Sequence, residues 1–188
     1  MCHFLLQDPK FFQLLVRIDE EFARACHAGG CSCGGVLHRG DYPRKPRGCP
    51  RRVRELFESR FSFCCSRCRK RTTSASVRFL GRRVYLALVV VLRCSQTSRH
   101  NATDSRLSYL LDVSVRTLGR WRRWWQEGFP LTPLWQAECA RLMPPVVLSD
   151  LPGVLLERFE GKAAESLLRM LVFLHPLTLS LITHQEAR

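Results

Sequence analysis

Two pairs of cysteines are the residues of this chain whose type and spacing best suit a chemical role. Cys31 and Cys33 are separated by one residue and followed by two glycines, and Cys65 and Cys68 are separated by two residues. Two close pairs of thiols are a usual source of the four ligands in a tetrahedral Zn²⁺ site. Because four thiolates leave no coordination position open to water or substrate, we expect a structural metal and not a catalytic one.

Other candidate ligands lie near these pairs in the sequence. Cys64 directly precedes Cys65, and we choose Cys65 because it gives a two-residue gap to Cys68. The remaining candidates are Cys26, His27 and His38. The alternative is that the cysteines are buried free thiols, which behave as small apolar residues. The prediction is one structural zinc ion held by Cys31, Cys33, Cys65 and Cys68.

The residues around the second pair predict a small β structure. An alternating run at 60–63 precedes the pair and a basic, Thr-rich run at 69–73 follows it, which predicts a strand, a turn and a strand. The chain between the two pairs supplies the remaining strand and a loop. This arrangement resembles a zinc ribbon, although the usual ribbon has two residues between its first two cysteines.

The positive charge of the chain is concentrated in one segment. Its 188 residues include 30 Lys and Arg against 16 Asp and Glu, a net charge of +14, and residues 39–83 carry +12 of this excess. Such a local excess favours the phosphate backbone of nucleic acid as a partner, and the alternative is a solvated surface. The prolines of 43–48 predict an extended arm, in which we expect Arg44, Lys45 and Arg47 to grip a groove or the backbone.

Residues 103–125 have the pattern of two helices joined by a short turn. Leucines at helical spacing precede the turn at 112–114, and Ser114 is suited to cap the second helix. The predicted buried stripe of that helix is Leu118, Trp121 and Trp125. With Ser114 at its start, the opposite face presents side chains suited to the major groove of DNA: Arg116, Thr117, Arg120 and Arg123. The alternative is an ordinary helical hairpin with a solvated arginine face.

These patterns divide the chain into four segments. Residues 1–27 form an N-terminal amphipathic helix over 9–26, capped by Asp8. Its predicted apolar stripe is Phe11, Leu14, Leu15, Ile18 and Phe22. Residues 28–75 form the zinc ribbon with its basic loop.

The second half of the chain is predicted to be helical. Residues 76–145 form a trihelical helix-turn-helix domain with 84–92 as its supporting helix, although the valines there also suit a strand. Residues 146–188 form a Leu-rich helical segment that either packs back on the domain or makes a homodimer contact. Its predicted breaks are Pro152, Gly161 and Pro176. The predicted fold class is therefore mainly α with a small β zinc ribbon, a helix-turn-helix domain and a helical C-terminal tail.

The order of these parts resembles the N-terminal DNA-binding part of bacterial insertion-sequence transposases. It is also similar to small accessory proteins encoded with mobile elements, and the resemblance covers roughly residues 28–130. It implies sequence-specific binding of double-stranded DNA, with a transposase or recombinase as a further partner. The catalytic half of such transposases carries three spaced carboxylates, and the remaining helical segment shows no such set. We therefore expect no enzymatic activity.

Two other functions share this sequence evidence. A transcriptional regulator would use the same DNA-binding chemistry and differ only in its target. An adaptor would bind a recombinase or transposase through the ribbon and the C-terminal helices, and would bind DNA weakly on its own.

The sequence also predicts a location. The first residues lack the basic stretch and cleavage site of a secretory signal. The longest apolar run, at 84–92, is far shorter than the roughly 20 residues that span a bilayer. We expect a bacterial cytoplasmic protein associated with the nucleoid and without a membrane partner. In a reducing compartment, closely spaced cysteines favour a metal over disulfides.

Overall fold

The protein is mainly helical with a small antiparallel sheet, which agrees with the predicted fold class at that level. The computed structural model describes residues 5–6, 8–46, 49–80, 87, 90–91 and 114–180. The sheet is formed by residues between the long first helix and the later, shorter helices. Within the described ranges, no helix combines the length and the apolar character needed to cross a membrane.

Helix α1 spans Pro9–Ala28 and begins where the sequence predicts. The Asp8 carboxylate accepts a hydrogen bond from the Lys10 amide at 2.9 Å, and a proline fills the first turn, where no amide donor is needed. The helix continues two residues beyond the predicted end at Cys26, because the Gly29 amide still bonds back to the Ala25 carbonyl at 3.0 Å.

The buried face of α1 differs in part from the predicted stripe. Leu14 is 39% exposed, so its predicted burial is wrong, whereas Phe12 and Asp19 are buried. Phe12 packs edge-on against Phe57 with ring centroids 5.6 Å apart, and this contact turns its side of α1 inward. The other predicted stripe residues are buried or half-buried: Phe11, Leu15, Ile18 and Phe22.

In the described part of the chain, five short strands surround the cysteines. They are β1 (Leu37–Arg39), β2 (Tyr42–Pro43), β3 (Ser59–Arg60), β4 (Ser62–Cys65) and β5 (Arg71–Thr73). Strand β4 is central in the antiparallel sheet β1-β4-β5, and β2 pairs with β3 in a separate ladder. The 3₁₀ helix Arg51–Phe57 connects the two strands of that ladder. The strands expected on both sides of the second cysteine pair are therefore present.

The chain after residue 114 is a series of helical segments. They are α2 (Val115–Arg123), a π-helical turn (Trp124–Gly128), α3 (Pro133–Glu138), α4 (Gly153–Leu156), α5 (Ala163–Leu174) and α6 (Leu177–Ser180), with 3₁₀ turns at Phe129–Leu131, Cys139–Arg141 and Leu148–Asp150. The predicted breaks all fall between these helices. Pro152 precedes α4, Gly161 separates α4 from α5, and Pro176 separates α5 from α6.

Only one helix of the predicted helix-turn-helix can be described. Helix α2 starts at the predicted cap, where the Ser114 hydroxyl accepts a hydrogen bond from the Thr117 amide at 3.3 Å. The predicted stripe of α2 and the following turn is buried: Leu118, Trp121 and Trp125. The predicted preceding helix at 103–111, and most of the supporting helix at 84–92, lie outside the described residues.

Apolar side chains of the described residues form two clusters. The larger joins α1, the 3₁₀ helix Arg51–Phe57, residues 77–80 and the helices after residue 114. The C-terminal helices contribute four fully buried leucines to it: Leu155, Leu167, Leu171 and Leu174. The C-terminal segment thus packs back on the rest of the chain. The smaller cluster lies around the cysteine pairs and contains Leu37, Phe63 and Cys65.

A buried ion pair ties α1 to the chain that leaves the sheet. Asp19 and Arg78 are each 1% exposed, and the Arg78 Nε donates to Asp19 Oδ2 at 2.6 Å. The same carboxylate accepts from the Ser76 hydroxyl at 2.5 Å and from the Val77 amide at 2.7 Å. Three donors therefore offset the cost of burying this charge.

The Arg78 guanidinium is held on its other sides as well. Its Nη1 donates to the Leu56 carbonyl at 2.6 Å, and its Cζ lies 4.7–5.7 Å from the ring centroids of three phenylalanines. These are Phe57, Phe61 and Phe79. The Ser76 amide donates to the Thr178 hydroxyl of α6 at 3.2 Å, so the same short segment joins α1, the 3₁₀ helix and the C-terminus.

Replacing the buried carboxylate should destabilise the whole fold. Asp19→Asn leaves the Arg78 charge buried without its counter-ion, and we expect a loss of about 3–5 kcal/mol in the free energy of unfolding. The matched control is Glu21→Gln, which breaks the exposed Arg24–Glu21 pair on the same helix and should cost about 0–1 kcal/mol. Urea unfolding followed by far-UV circular dichroism measures both. Equal losses would contradict this role of the buried pair.

Candidate metal centre

Four cysteine sulfurs converge between the sheet and the loop that precedes it. The Cys33 Sγ lies 3.5 Å from that of Cys31 and 3.4 Å from that of Cys65, and the Sγ atoms of Cys31 and Cys68 are 3.5 Å apart. All four atoms lie within 4.8 Å of one another. A tetrahedral zinc site with Zn–S bonds of about 2.3 Å needs sulfurs about 3.8 Å apart. The four cysteines could therefore hold one metal ion, and their spacing exceeds the roughly 2.05 Å of a disulfide.

The first cysteine pair lies on a tight turn that glycines permit. The Gly34 amide donates to the Cys31 carbonyl at 2.8 Å. Gly34 has φ +74°, a conformation that residues other than glycine disfavour. At Gly35 the backbone passes directly over the second pair. A Cβ atom there would lie 2.5 Å from the Cys65 Sγ and 2.7 Å from the Arg67 Cβ. Position 35 thus requires glycine, because its backbone lies too close to the second cysteine turn for a side chain to fit.

The second pair lies on the turn between β4 and β5. The Cys65 amide donates to the Lys70 carbonyl at 3.0 Å, and the Arg69 amide donates to the Cys65 carbonyl at 3.1 Å. Closing this turn places Arg69 at φ +59°. The Cys68 amide points at the Cys65 Sγ, 3.5 Å away, so the backbone supports a thiolate at that atom.

Two hydrogen bonds fix the two turns against each other. The Ser66 amide donates to the Val36 carbonyl at 2.9 Å, and the Arg67 Nη1 donates to the Cys33 carbonyl at 3.1 Å. Each bond runs from the second turn to the first. The four sulfurs are therefore held by a framework of backbone and side-chain hydrogen bonds, which preorganises them for one ion.

The other candidate ligands point elsewhere. The Cys64 thiol bonds to the Arg69 carbonyl at 3.6 Å, on the opposite face of the sheet from Cys65, because alternate residues of a strand face opposite sides. The His27 Nε2 lies 3.0 Å from the Leu37 carbonyl and so is engaged by the backbone. His38 is exposed, and Cys26 packs against the edge of the cluster. Burial raises the pKa of the Cys26 thiol.

The sulfurs favour different protonation states. Hydrogen bonding from the Cys68 amide lowers the pKa of Cys65 to about 6. The Lys70 amide lowers the pKa of Cys68, but hydrogen bonds with the Cys33 and Cys31 sulfurs outweigh this effect and raise it to about 12. Adjacent sulfurs cannot all ionise together, because like charges repel at this distance. A divalent cation among them would stabilise all four thiolates.

The predicted basic arm is only partly an extended arm. Its start is held in the ladder of β2 and β3, where the Arg44 amide donates to the Glu58 carbonyl at 2.6 Å. The Arg44 guanidinium lies over the Tyr42 ring, 4.7 Å from its centroid, and bonds to the Tyr42 hydroxyl at 3.0 Å. Arg44 is therefore held by an aromatic ring and a strand, and its contact with DNA stays a prediction. Lys45 is exposed, and Arg47 lies outside the described residues.

Three of the four predicted groove-facing residues of α2 are exposed. They are Arg116, Arg120 and Arg123. The outward direction predicted for Thr117 is wrong, since that residue is only 7% exposed. The Thr117 hydroxyl lies 3.1 Å from that of Ser114 and accepts a hydrogen bond from the Arg120 Nη2 at 3.1 Å. Thr117 therefore links the helix cap, which is exposed at Ser114, to an exposed guanidinium.

Some features of the site carried little sequence signal. The Gly-Gly pair after Cys33 indicated a turn, but not that Gly35 touches the second cysteine turn. The positive φ of Arg69 was not predictable, since arginine does not favour that conformation. Nothing in the local pattern indicated that Asp19 and Arg78 are buried.

Adding a methyl group at Gly35 should disrupt the centre. Gly35→Ala forces the new Cβ against the Cys65 Sγ, and we expect zinc affinity to fall about 10–100-fold, as for other changes next to metal ligands. Gly40→Ala is the matched control, because a Cβ there meets no atom within 4 Å. Competition with a chromophoric chelator measures both affinities. Unchanged affinity in Gly35→Ala would contradict the described approach of the two turns.

Serine replacements should distinguish the adjacent thiols of β4. Cys65→Ser removes one of the four converging sulfurs, and we expect the purified chain to lose stoichiometric zinc, as measured by plasma mass spectrometry. Cys64→Ser should retain it, because the Cys64 thiol bonds to a carbonyl on the other face of the sheet. The reverse result would assign the ligand to Cys64.

Comparisons with known proteins identify no relative of this chain. No family model matches the chain, and no curated protein or solved structure is significantly similar to it. The interpretation of the centre therefore depends on its donor set and backbone framework: four sulfurs, two turns and the bonds between them.

Proposed function

We propose that this protein is a non-catalytic, zinc-containing, sequence-specific DNA-binding protein, related to transposases or acting as an accessory factor of a mobile element. The observation that carries the proposal is the cluster of four cysteine sulfurs, of which Cys65 and Cys68 lie in the most basic segment of the chain and Cys31 and Cys33 lie just before it. A metal held by four thiolates has no open position for a substrate. Its role would be to fold a small module that presents cations.

Electrostatics support a polyanionic partner. Exposed arginines and lysines surround the centre and the adjacent 3₁₀ helix: Arg39, Lys45, Arg51, Arg52, Arg54, Arg67, Arg69, Lys70 and Arg71. The described acidic residues of the same segment are few, and Asp41 is already paired with Arg39 at 2.7 Å. Such a surface attracts the phosphates of double-stranded DNA and makes affinity fall steeply with salt.

Helix α2 supports sequence reading. A major groove about 12 Å wide admits one α-helix, and arginine can bond two acceptors on guanine. Arg116, Arg120 and Arg123 are the exposed candidates, with Ser114 at the helix start. Thr117 would act indirectly, because its buried hydroxyl holds the Arg120 guanidinium in one orientation. A preorganised guanidinium loses less conformational entropy when it binds a base.

The proposal has two parts with different roles. The arginines of α2 would read bases, whereas Arg44, Lys45 and Arg47 would contact an adjacent groove or the phosphates. Further partners would be a transposase or recombinase, or a second copy of the chain joined through the C-terminal helices. The proposed location is the nucleoid of a bacterial cytoplasm, where such DNA is found.

A metal assay combined with selection of genomic fragments tests the function. We expect one zinc per chain and enrichment of one short sequence. A chain that holds zinc, enriches no fragment and forms a stable complex with a recombinase would be an adaptor instead. A chain that contains no zinc and enriches no fragment would overturn the proposal.

Removing one reading arginine should relax specificity. Arg120→Ala is expected to cost about 1–3 kcal/mol of binding free energy at the enriched site and much less on random DNA. The matched control is Arg169→Ala, which removes the same charge from an exposed position of α5. Fluorescence anisotropy with the two duplexes measures the difference. An equal loss on both duplexes would indicate that Arg120 contacts phosphates and does not read bases.

A further inference from the structure

Arg69 adopts a backbone conformation that its residue type disfavours. Its φ of +59° is the only positive value at a non-glycine residue in the described part of the chain. Glycine, and less often asparagine or aspartate, normally occupies this left-handed region. The corresponding residue of the first cysteine turn is Gly34, with φ +74°.

The cysteine turn imposes this conformation. Cys65 bonds through its amide to the Lys70 carbonyl and through its carbonyl to the Arg69 amide, so the chain must reverse at this point. Glycine at 69 would close the same turn without strain. An arginine kept at a strained position indicates a use for its side chain, because strained residues concentrate at functional sites.

Other basic residues of the same turn are engaged within the protein. Arg67 donates to the Cys33 carbonyl, and Arg71 donates to the Gly40 carbonyl at 2.6 Å and to the Ser62 hydroxyl at 3.2 Å. These two side chains have a structural role.

Arg69 and Lys70 lack such contacts. Both are exposed, and within the described ranges their side chains make no hydrogen bond or ion pair with another residue. Two adjacent cations on a rigid turn repel each other, so an external anion would stabilise the arrangement.

We propose that Arg69 and Lys70 form a phosphate-binding tip that contacts the backbone of double-stranded DNA. The inference rests on the proposed function and adds a contact surface distinct from α2 and from the 43–48 loop. The tip is fixed by the two cysteine turns, so little backbone entropy is lost on binding. Phosphate contacts of this kind position a protein on a duplex without reading its sequence.

The substitution Arg69→Gly separates a structural role from a binding role. Glycine relieves the strained φ, so we expect unchanged zinc content and an equal or higher midpoint of thermal unfolding. Affinity of the full, zinc-loaded chain for a random-sequence duplex should fall on the order of fivefold to tenfold at about 0.1 M salt. The slope of log K against log salt should decrease in magnitude by about 0.9, the value for one lost phosphate contact.

Three further variants complete the test. Lys70→Gln should reduce the slope by the same amount without altering the strained residue. Arg69→Lys keeps the positive charge and should therefore preserve the wild-type slope. Arg17→Ala, which removes one exposed charge from α1, is the control and should leave the slope nearly unchanged.

The outcomes distinguish this inference from the proposed function. Wild-type slopes in both Arg69→Gly and Lys70→Gln, with salt-dependent binding of the wild-type chain intact, would overturn the tip and leave the proposed function standing. If the wild-type chain itself showed no salt-dependent binding to duplex DNA, the proposed function would fall together with the tip. An equal loss in Arg17→Ala would also overturn the tip, because the effect would then be one of net charge alone.

Discussion

The buried pair of Asp19 and Arg78 is the interaction on which the arrangement of the other elements depends. A charge pair whose two residues are each 1% exposed is costly to form, and here a hydroxyl, an amide and a carbonyl add further hydrogen bonds to it. Packed apolar residues of similar volume often give equal or greater stability. The pair is directional, because the Asp19 carboxylate of α1 accepts hydrogen bonds from three donors at 76–78. The cysteine centre follows from this placement, because the C-terminal part of α1 packs against it.

The positive charge of the chain is divided between buried and exposed side chains. Arg78 and Arg60 are buried, and Arg60 donates to the Ser74 carbonyl at 3.2 Å. Burial lowers the pKa of Arg60, although arginine still remains charged at neutral pH. These guanidiniums organise the junction between the sheet and the larger core. The net charge of residues 39–83 thus overstates the positive charge that is exposed at the surface.

Local signals in the sequence were sufficient for several features. The cap and proline predicted the start of α1, and Pro152, Gly161 and Pro176 predicted the ends of the later helices. The spacing of the two cysteine pairs predicted which four sulfurs come together.

Features that depend on distant partners were not predictable. The burial of Asp19 could not be predicted, because its partner Arg78 lies 59 residues further along the chain. Phe12 replaces Leu14 in the core because Phe57 packs against it, and helical periodicity carries no information on that contact. Thr117 sits at the boundary of the apolar stripe, where a small hydroxyl can be buried once it bonds to Ser114 and Arg120.

The sequence separation of the buried pair has a consequence for synthesis on the ribosome. Bacterial and eukaryotic ribosomes add about 5–20 residues per second, so α1 emerges several seconds before Arg78. During that time the Asp19 carboxylate lacks its native donors at 76–78, so α1 cannot bury this face without cost. The Ser76–Thr178 bond spans 102 residues, so the junction is completed only after nearly the whole described chain has been made. Helix α1 is thus among the last of the described elements to be fixed in place.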